Sequence, residues 1–278
     1  MNFHRARIGL DEKGRAISWQ HEIAGQSIMA GGPMEAMIKE GKEPVVTEGV
    51  SETKYALPNF RVLQARVPSP ITTLWWRSVG HTHTAFAMET LIDELAEAAK
   101  VDPMAFRKKL LAKEARHLAV LNLLQKESGW GTRKPPKGRA WGLAIHESFA
   151  SVVGQVAEVS IENGRPRVHK VWAVGHIGQV VNPDGAKTQM EGGIGFGLSA
   201  LHQGITFEAG QVVQQNFLEY PVLRINEMPE IKVAFVKSTA NPTGLGEPGV
   251  PPILPAVANA YYQLTGKRIR KLPFAANA

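Results

Sequence analysis

The 278-residue chain contains no cysteine. It can therefore form no disulfide and offer no thiolate to zinc or to an iron–sulfur cluster, so any iron–sulfur electron transfer requires a partner chain. The sequence has no apolar run near the roughly 18 residues typical of a membrane span. Its first residues lack the apolar core of a signal peptide, because the charged residues Asp11, Glu12 and Lys13 follow directly after the short apolar stretch that ends at Leu10. We expect no membrane span and no signal peptide in these residues.

The composition is that of an ordinary globular protein, with 44% hydrophobic and 21% charged residues. The formal net charge is +7, from 32 basic and 25 acidic residues, but the basic residues are scattered along the chain. The densest group lies at Lys267–Lys271, where a solvated tail or a subunit contact explains it. We therefore expect no nucleic-acid partner.

The periodicity predicts both helices and strands without regular strand–helix alternation, which favours an α+β fold. Apolar residues recur at helical spacing over residues 85–99, and Asp102 followed by Pro103 predicts the N-cap of a second helix. A third helix, predicted over 114–126, completes a helical segment at 85–127.

The stretch Lys134–Gly138, with two prolines and two lysines, predicts an internal boundary that separates residues 1–134 from 139–278. Beyond it, local signals predict a hairpin at Asn163–Gly164, a helix after Asn182–Pro183, strands near 205–213 and 230–237, and a helix over 252–264 capped by Gly266.

One carboxylate near the C-terminus has an unusual setting. Glu247 lies between glycines and prolines in the stretch Gly244–Pro252, and no other charged residue occurs between Lys237 and Lys267. Glycines let a backbone approach a ligand and prolines stiffen the chain after them, so such a loop suits the presentation of a general base. A structural turn whose Glu247 faces solvent is the alternative that the local sequence leaves open.

The order of the segments GEPGVPP, PAVANA and TGKRIRKLP resembles the closing part of the molybdenum-cofactor-binding large subunit of the xanthine oxidase family. It is most similar to the isoquinoline 1-oxidoreductase beta-subunit and aldehyde dehydrogenase-like branch. The resemblance implies that Glu247 is the catalytic base beside molybdenum, with Gly246 against the cofactor. It also implies the molybdenum hydroxylase type of α+β fold, with a partial cofactor-binding region at 1–134 and a second one at 139–278.

A glycine-rich segment follows Gln189, with four glycines between Gly192 and Gly197. Each glycine costs roughly 0.8–1 kcal/mol in a helix compared with alanine, which is tolerated where backbone packs closely. The segment does not match a dinucleotide-binding fingerprint. Tight packing on a sheet and contact with a cofactor both remain open. The resemblance implies that the family's Q-x-E-G segment lines the pterin, with Gln189 hydrogen-bonded to the cofactor beside Gly192 and Gly193.

The loop Trp75–His81 is similar to the family's arginine–glycine loop ahead of a long helix. The resemblance implies that Arg77 is a fork-shaped donor near the cofactor or substrate. A surface arginine stacked on tryptophan is the alternative. The pair His81 and His83 has the spacing of possible metal ligands, but no third ligand lies nearby. We expect solvated or capping histidines and no metal site in the protein's own side chains.

The resemblance covers nearly all of this chain but not the whole family subunit, which is more than twice as long. The family's MGQG segment has no match here. We therefore expect the C-terminal part of a molybdenum hydroxylase large subunit, with a truncated and catalytically inactive remnant as the alternative.

The implied reaction is the oxidative hydroxylation of an N-heterocycle or an aldehyde, with water as the oxygen source. The implied cofactor is a molybdopterin-type molybdenum cofactor in its cytosine dinucleotide form. The implied partners are the remaining N-terminal portion of the large subunit and a small subunit that carries 2Fe–2S clusters. Which substrate is used does not follow from the sequence.

Overall fold

The computed structural model describes residues 1–71 and 73–274. It contains two compact units, Met1–Glu114 and a second one that begins at Ala115. Both units combine helices with strands, so the predicted α+β class is confirmed. No helix in the described ranges is long and apolar enough to cross a membrane.

The first unit is built on a three-stranded sheet of β1 (Asn2–Leu10), β2 (Ala16–Gly25) and β3 (Phe60–Arg66), in that order. Strand β2 is antiparallel to β1 and parallel to β3. Trp19, His21 and Ile23 of β2 are buried at alternate positions, which places the core on one face of the sheet. The elements of this unit are β1 (Asn2–Leu10), β2 (Ala16–Gly25), a short α1 (Pro44–Thr47), β3 (Phe60–Arg66), α2 (His81–Ala98) and α3 (Pro103–Leu110).

Helices α2 and α3 differ in how their N-terminal ends are capped. Helix α3 begins as predicted, because the Asp102 carboxylate accepts hydrogen bonds from the amides of Met104 and Ala105, both at 3.0 Å. Helix α2 begins at His81, four residues before the predicted start. There Glu48 Oε1 accepts the amides of Gly80 at 2.6 Å and His81 at 3.3 Å. The carboxylate of Glu48, which is distant in the sequence, thus accepts hydrogen bonds from the backbone amides at the start of α2, where no neighbouring side chain caps the helix.

Charged side chains are buried in the core of the first unit. The Arg107 side chain is 0% exposed, and its Nε donates to Glu89 Oε2 at 2.9 Å. Its Nη1 lies 3.6 Å from Asp93 Oδ1, and Tyr55 donates its hydroxyl to Glu89 Oε1 at 2.6 Å. Burial by itself lowers the pKa of Arg107, but the attraction of Glu89, Tyr55 and Asp93 outweighs it and raises the pKa.

Removing this buried cation is expected to destabilise the protein. In Arg107→Met the side chain keeps a comparable length, but Glu89 and Asp93 lose their buried counter-charge. The expected loss is about 3–5 kcal/mol in the free energy of unfolding, measured by urea denaturation. The exposed neighbour Lys109 provides the control variant Lys109→Met, for which we expect less than about 0.5 kcal/mol. A loss below about 1 kcal/mol in Arg107→Met would contradict the prediction.

The second unit is built on a four-stranded sheet of β4 (Ala140–Ser148), β5 (Ser151–Glu162), β6 (Arg165–His176) and β9 (Glu230–Phe235), in that order. Neighbours are antiparallel except β6 and β9, which are parallel. Its elements are α4 (Ala115–Ser128), β4 (Ala140–Ser148), β5 (Ser151–Glu162), β6 (Arg165–His176), α5 (Pro183–His202), β7 (Phe207–Glu208), β8 (Gln211–Val212), β9 (Glu230–Phe235) and α6 (Ile253–Thr265).

Helices cover both faces of this sheet. A methyl group added at Gly154 of β5 would lie 3.0 Å from Val120 Cγ1 of α4. One added at Gly142 of β4 would lie 2.0 Å from the carbonyl oxygen of Ala256 in α6. Gly142 pairs with Ala157, so these two residues face the same side of the sheet. Ala157 is three positions from Gly154, and residues an odd number of positions apart in a strand face opposite sides. Helices α4 and α6 therefore lie on opposite faces.

Several predicted boundaries in the second unit are confirmed, but strand β4 was not predicted. Asn163 and Gly164, with φ of 52° and 74°, form the predicted turn between β5 and β6, and Gly266 ends α6 with φ of 68°. Strand β4 was missed because it is buried on both faces and shows no alternation. The stretch Lys134–Gly138 connects α4 to β4 within the second unit. The division of cofactor binding between 1–134 and 139–278 stays a prediction.

Candidate functional site

Helix α5 presents the first of the predicted cofactor-binding residues. The helix begins as the sequence predicts, because the Asn182 side chain accepts the amide of Gly185 at 3.0 Å and Pro183 occupies the first turn. Gln189 is exposed on the second turn, whereas the adjacent Met190 is buried. The amide group of Gln189 therefore lies on the outer face of the helix.

The glycines of α5 differ in what lies next to their Cβ positions. A methyl group added at Gly193 would lie 3.1 Å from Cα of Gly249, and one added at Gly197 would lie 2.5 Å from Ile253 Cγ2. These two glycines let α5 pack against the Glu247 loop and the start of α6, rather than against the sheet. A methyl group at Gly192 would meet no described atom within 4 Å. Gly192 therefore leaves open space beside Gln189, one helical turn away.

The structure brings Gln189 and the Glu247 loop together. The Cβ position of Gly246, the residue before Glu247, lies 3.9 Å from Gln189 Oε1. Glu247 is half-buried, and its carbonyl accepts the amide of Val250 at 2.9 Å, which closes a tight turn. Gln189, Gly192 and Gly246 thus border the same region as the carboxylate-bearing turn.

Strand β5 holds this turn at both of its ends. Ser151 Oγ donates to the carbonyl of Gly244 at 2.5 Å, and the amide of Gly244 donates at 3.2 Å to the carbonyl of Phe149, two residues before the strand. At the other end, Gln155 Nε2 donates to the carbonyl of Gly249 at 2.8 Å. Neither Gln155 nor Ser151 was predicted from the sequence. The available signal was an amide within the apolar stretch from Val152 to Ala157.

Arg77 lies in the first unit, in a loop with unusual backbone geometry. Ser78 and Val79 have φ of 75° and 49°, and a methyl group at Gly80 would lie 1.8 Å from the carbonyl oxygen of Val45. The loop borders a cavity of about 230 Å³ lined by Trp75, Trp76 and Gly80. Arg77 is half-buried, and its carbonyl accepts the hydroxyl of Thr82 at 3.0 Å.

The sequence predicted solvated or capping histidines at 81 and 83, but His81 is buried and His83 is half-buried. His81 is 8% exposed, with Nε2 3.7 Å from Glu48 Oε2. His83 Nδ1 lies 2.8 Å from His4 Nε2, and His4 Nδ1 lies 2.9 Å from His21 Nε2. His4 thus contacts His21 through one ring nitrogen and His83 through the other. The nitrogens of these three imidazoles point at one another and not at a common point where a metal could bind. The described residues contain no group of three or more His, Asp or Glu side chains placed to hold a metal.

Comparison with known proteins gives two family-model matches. Both models are described as a molybdopterin cofactor-binding domain, and they match residues 2–111 and 83–229. The second match covers more than half of the chain. Glu247 and Gly246 lie outside both matched ranges, so the roles expected for them stay predictions from the sequence motif.

Several relatives match most of this chain, two of them with at least 30% identity. The isoquinoline 1-oxidoreductase subunit beta of Brevundimonas diminuta is 33% identical over 224 residues, which are 79% of this chain and 29% of the relative. The membrane-bound aldehyde dehydrogenase (pyrroloquinoline-quinone) of Gluconacetobacter polyoxogenes is 30% identical over an aligned length of 296 positions, covering 97% of this chain and 38% of the relative. The chain therefore spans about a third of the length of these relatives.

A solved structure shares the fold. The quinoline 2-oxidoreductase of Pseudomonas putida 86 superposes with a TM-score of 0.79, covering 99% of this chain and 61% of that one. The sequence identity is 13%, so this similarity shows the architecture alone.

Proposed function

Because the chain belongs to the xanthine oxidase family of molybdopterin cofactor-binding proteins, as its motifs predicted, we propose that it forms the base-bearing part of a molybdenum hydroxylase large subunit. The proposed reaction is the hydroxylation of an N-heterocycle or an aldehyde, with oxygen from water. One observation carries the proposal: Gln189 Oε1 lies 3.9 Å from the Cβ position of Gly246, which places the amide beside the Glu247 turn.

The residues around this turn fit a pterin. An amide both donates and accepts hydrogen bonds, as a pterin edge does, and Gln189 is exposed. Gly192 and Gly246 are also exposed and carry no side chain that would fill the space. Gln189, Gly192 and Gly246 would hold the cofactor, and the neighbouring Gly193 lies on the buried side of the same helix as Gln189 and Gly192. Bound there, the molybdenum cofactor supplies the two-electron oxidation.

In this arrangement Glu247 acts as a general base. Its carboxylate would accept the proton of the water-derived hydroxyl group as the oxygen bonds to the substrate carbon. The hydrogen on that carbon would leave with the two electrons of the broken C–H bond, which the bound cofactor would take up. Glu247 is half-buried, so it is partly accessible to solvent. Arg77, a planar donor with a fixed charge, would orient an acceptor group of cofactor or substrate. Its assignment comes from the family motif.

The proposed partners follow from the chain's composition and from its exposed apolar residues. Without cysteine it cannot ligate the clusters that would carry electrons away, so we propose a small subunit with 2Fe–2S clusters. The segment 204–229 exposes large apolar side chains, including Phe217 at 75%, Leu218 at 87% and Ile225 at 96%. We propose that the remaining portion of the large subunit covers them. The cofactor form we propose is the cytosine dinucleotide.

The reaction is tested by oxygen labelling in the assembled complex. Incubation with an N-heterocycle or an aldehyde in ¹⁸O-water is expected to give a hydroxylated or acid product that carries the label. Isoquinoline and an aromatic aldehyde are suitable probes, since relatives act on each class by name. A complex that is fully loaded with molybdenum and oxidises neither class would favour the alternative, an inactive remnant of such a subunit.

The cofactor wall is tested at Gly192. In Gly192→Leu the new side chain enters the open space beside Gln189, so molybdenum content is expected to fall at least fivefold, measured by mass spectrometry. Folding should be retained, because leucine favours a helix over glycine by roughly 0.6–0.8 kcal/mol.

The control is Lys187→Leu, which adds the same side chain to α5 at an exposed position. Lys187 lies about 140° around the helix from Gly192, since successive residues are rotated by about 100°. We expect this variant to keep its molybdenum. Equal loading of both variants would leave Gly192 without a role in the site.

A further inference from the structure

The most deeply buried amide side chain of the second unit's sheet contacts the Glu247 loop. Gln155 of β5 is 0% exposed, with Val156 and Ala157 beside it equally buried. Its Nε2 donates to the carbonyl of Gly249 at 2.8 Å. Its Oε1 has no hydrogen-bond partner among the described residues. A buried amide that leaves one atom unpaired is unfavourable for stability, so a role beyond packing would explain its presence.

The same face of β5 holds the other end of the loop. Ser151 precedes Gln155 by four residues, so both side chains lie on one face of the strand, about 13 Å apart. Ser151 Oγ donates to Gly244 O at 2.5 Å, as Gln155 does to Gly249 O. Glu247 lies between these two attachment points. The strand is therefore a fixed platform for the turn that carries the carboxylate.

Gly249 is held from the opposite side by helix α5. A methyl group added to it would lie 2.9 Å from the carbonyl oxygen of Met190, and the Cβ position of Gly193 lies 3.1 Å from its Cα. The peptide at Gly249 is thus confined between α5 and β5. These α5 contacts are steric, whereas the hydrogen bond from Gln155 has a direction and so fixes the orientation of the peptide plane.

We infer that β5 positions the catalytic carboxylate, with Gln155 as the residue that fixes the loop at Gly249 and Ser151 as its counterpart at Gly244. The inference rests on the proposed role of Glu247 as the base. Without the Gln155 donor, the buried carbonyl of Gly249 would lose its partner and the turn two residues earlier would shift. A displacement of about 1 Å at a catalytic group can lower the rate by about 10²-fold.

The test replaces Gln155 by methionine, which keeps the unbranched shape and removes the donor. In the assembled, molybdenum-loaded complex we expect kcat to fall about 10- to 100-fold with KM within about twofold of the parent. Molybdenum content should be unchanged. Hydrogen exchange at the Val250 amide, which closes the turn on Glu247, should become at least about tenfold faster.

The control is Ser148→Ala in the neighbouring strand β4. Ser148 is 3% exposed, and its hydroxyl is buried without a hydrogen-bond partner in the described structure. This variant also alters a buried polar group of the sheet, but it removes no side-chain hydrogen bond to the loop. We expect parental kcat and parental exchange at Val250.

Parental kcat and parental loop exchange in Gln155→Met would overturn the inference. If that variant does not assemble, Ser151→Ala gives a second test with a smaller change in volume. It should lower kcat at constant KM and speed up exchange at Gly244, and parental values of both would again overturn the inference. Failure of the proposed function looks different. In that case Glu247→Gln would keep parental turnover, while the exchange rates would still show whether β5 fixes the loop.

Discussion

Glu247→Gln is expected to lower the turnover of the assembled enzyme by about 10²–10⁴, the range for a positioned general base. Glutamine has the same shape as glutamate but cannot accept the proton at neutral pH. The turn around it should persist, because the hydrogen bond from Val250 goes to the backbone carbonyl of Glu247. The measurement is single-turnover reduction of the enzyme by substrate, which separates the chemical step from product release.

Two controls make this result specific. Molybdenum content must match the parent, since a loss of cofactor would lower turnover by itself. Glu12→Gln removes another carboxylate, from an exposed turn between β1 and β2, and is expected to leave turnover unchanged. Turnover within about tenfold of the parent in Glu247→Gln would show that this carboxylate is not the base.

Acidification is expected to destabilise the first unit strongly. Burial, followed by the neighbouring imidazoles of His83 and His21, lowers the pKa of His4 to about 3. Burial is also the main cause that lowers the pKa of His21, His81 and His83 to about 4. The ordinary value is 6.5. Below about pH 6.5 the unfolded chain therefore binds protons that the folded unit does not.

The sign and size of the effect follow from these values. Stability from the histidines is complete above about pH 6.5 and is lost as the pH falls towards about 4. Each histidine that stays neutral only in the folded state contributes a slope of up to about 1.4 kcal/mol per pH unit. The four sites interact, so their contributions do not simply add. A total loss of several kcal/mol over this pH range is expected.

Urea denaturation followed by circular dichroism between about pH 8 and pH 4 measures this loss. The variant His4→Phe removes the central imidazole, whose two nitrogens contact His21 and His83. Its stability should depend less steeply on pH than that of the parent. A parent whose free energy of unfolding is constant over this range would contradict the assigned protonation states.

Much of the local structure was predictable because the signals act over a few residues. Asp102 caps α3 through amides two and three positions on, and Asn182 caps α5 in the same way. Asn163–Gly164 forms its turn with its own backbone dihedrals. Such features depend on covalent neighbours, which the sequence displays directly. The start of α2 was not predictable, because its capping carboxylate, Glu48, comes from 32 residues away.

The candidate site divides in the same way. The sequence by itself determined the family motifs, the isolated carboxylate at Glu247 and the glycine-rich segment after Gln189. Only the tertiary structure decided that Gly193 and Gly197 pack against the loop while Gly192 faces open space. It alone placed Gln155 under Gly249, across 94 residues of chain. Interactions between neighbouring residues can be predicted from the order of residues in the chain, whereas close packing and the pairing of buried polar groups arise only when distant segments meet.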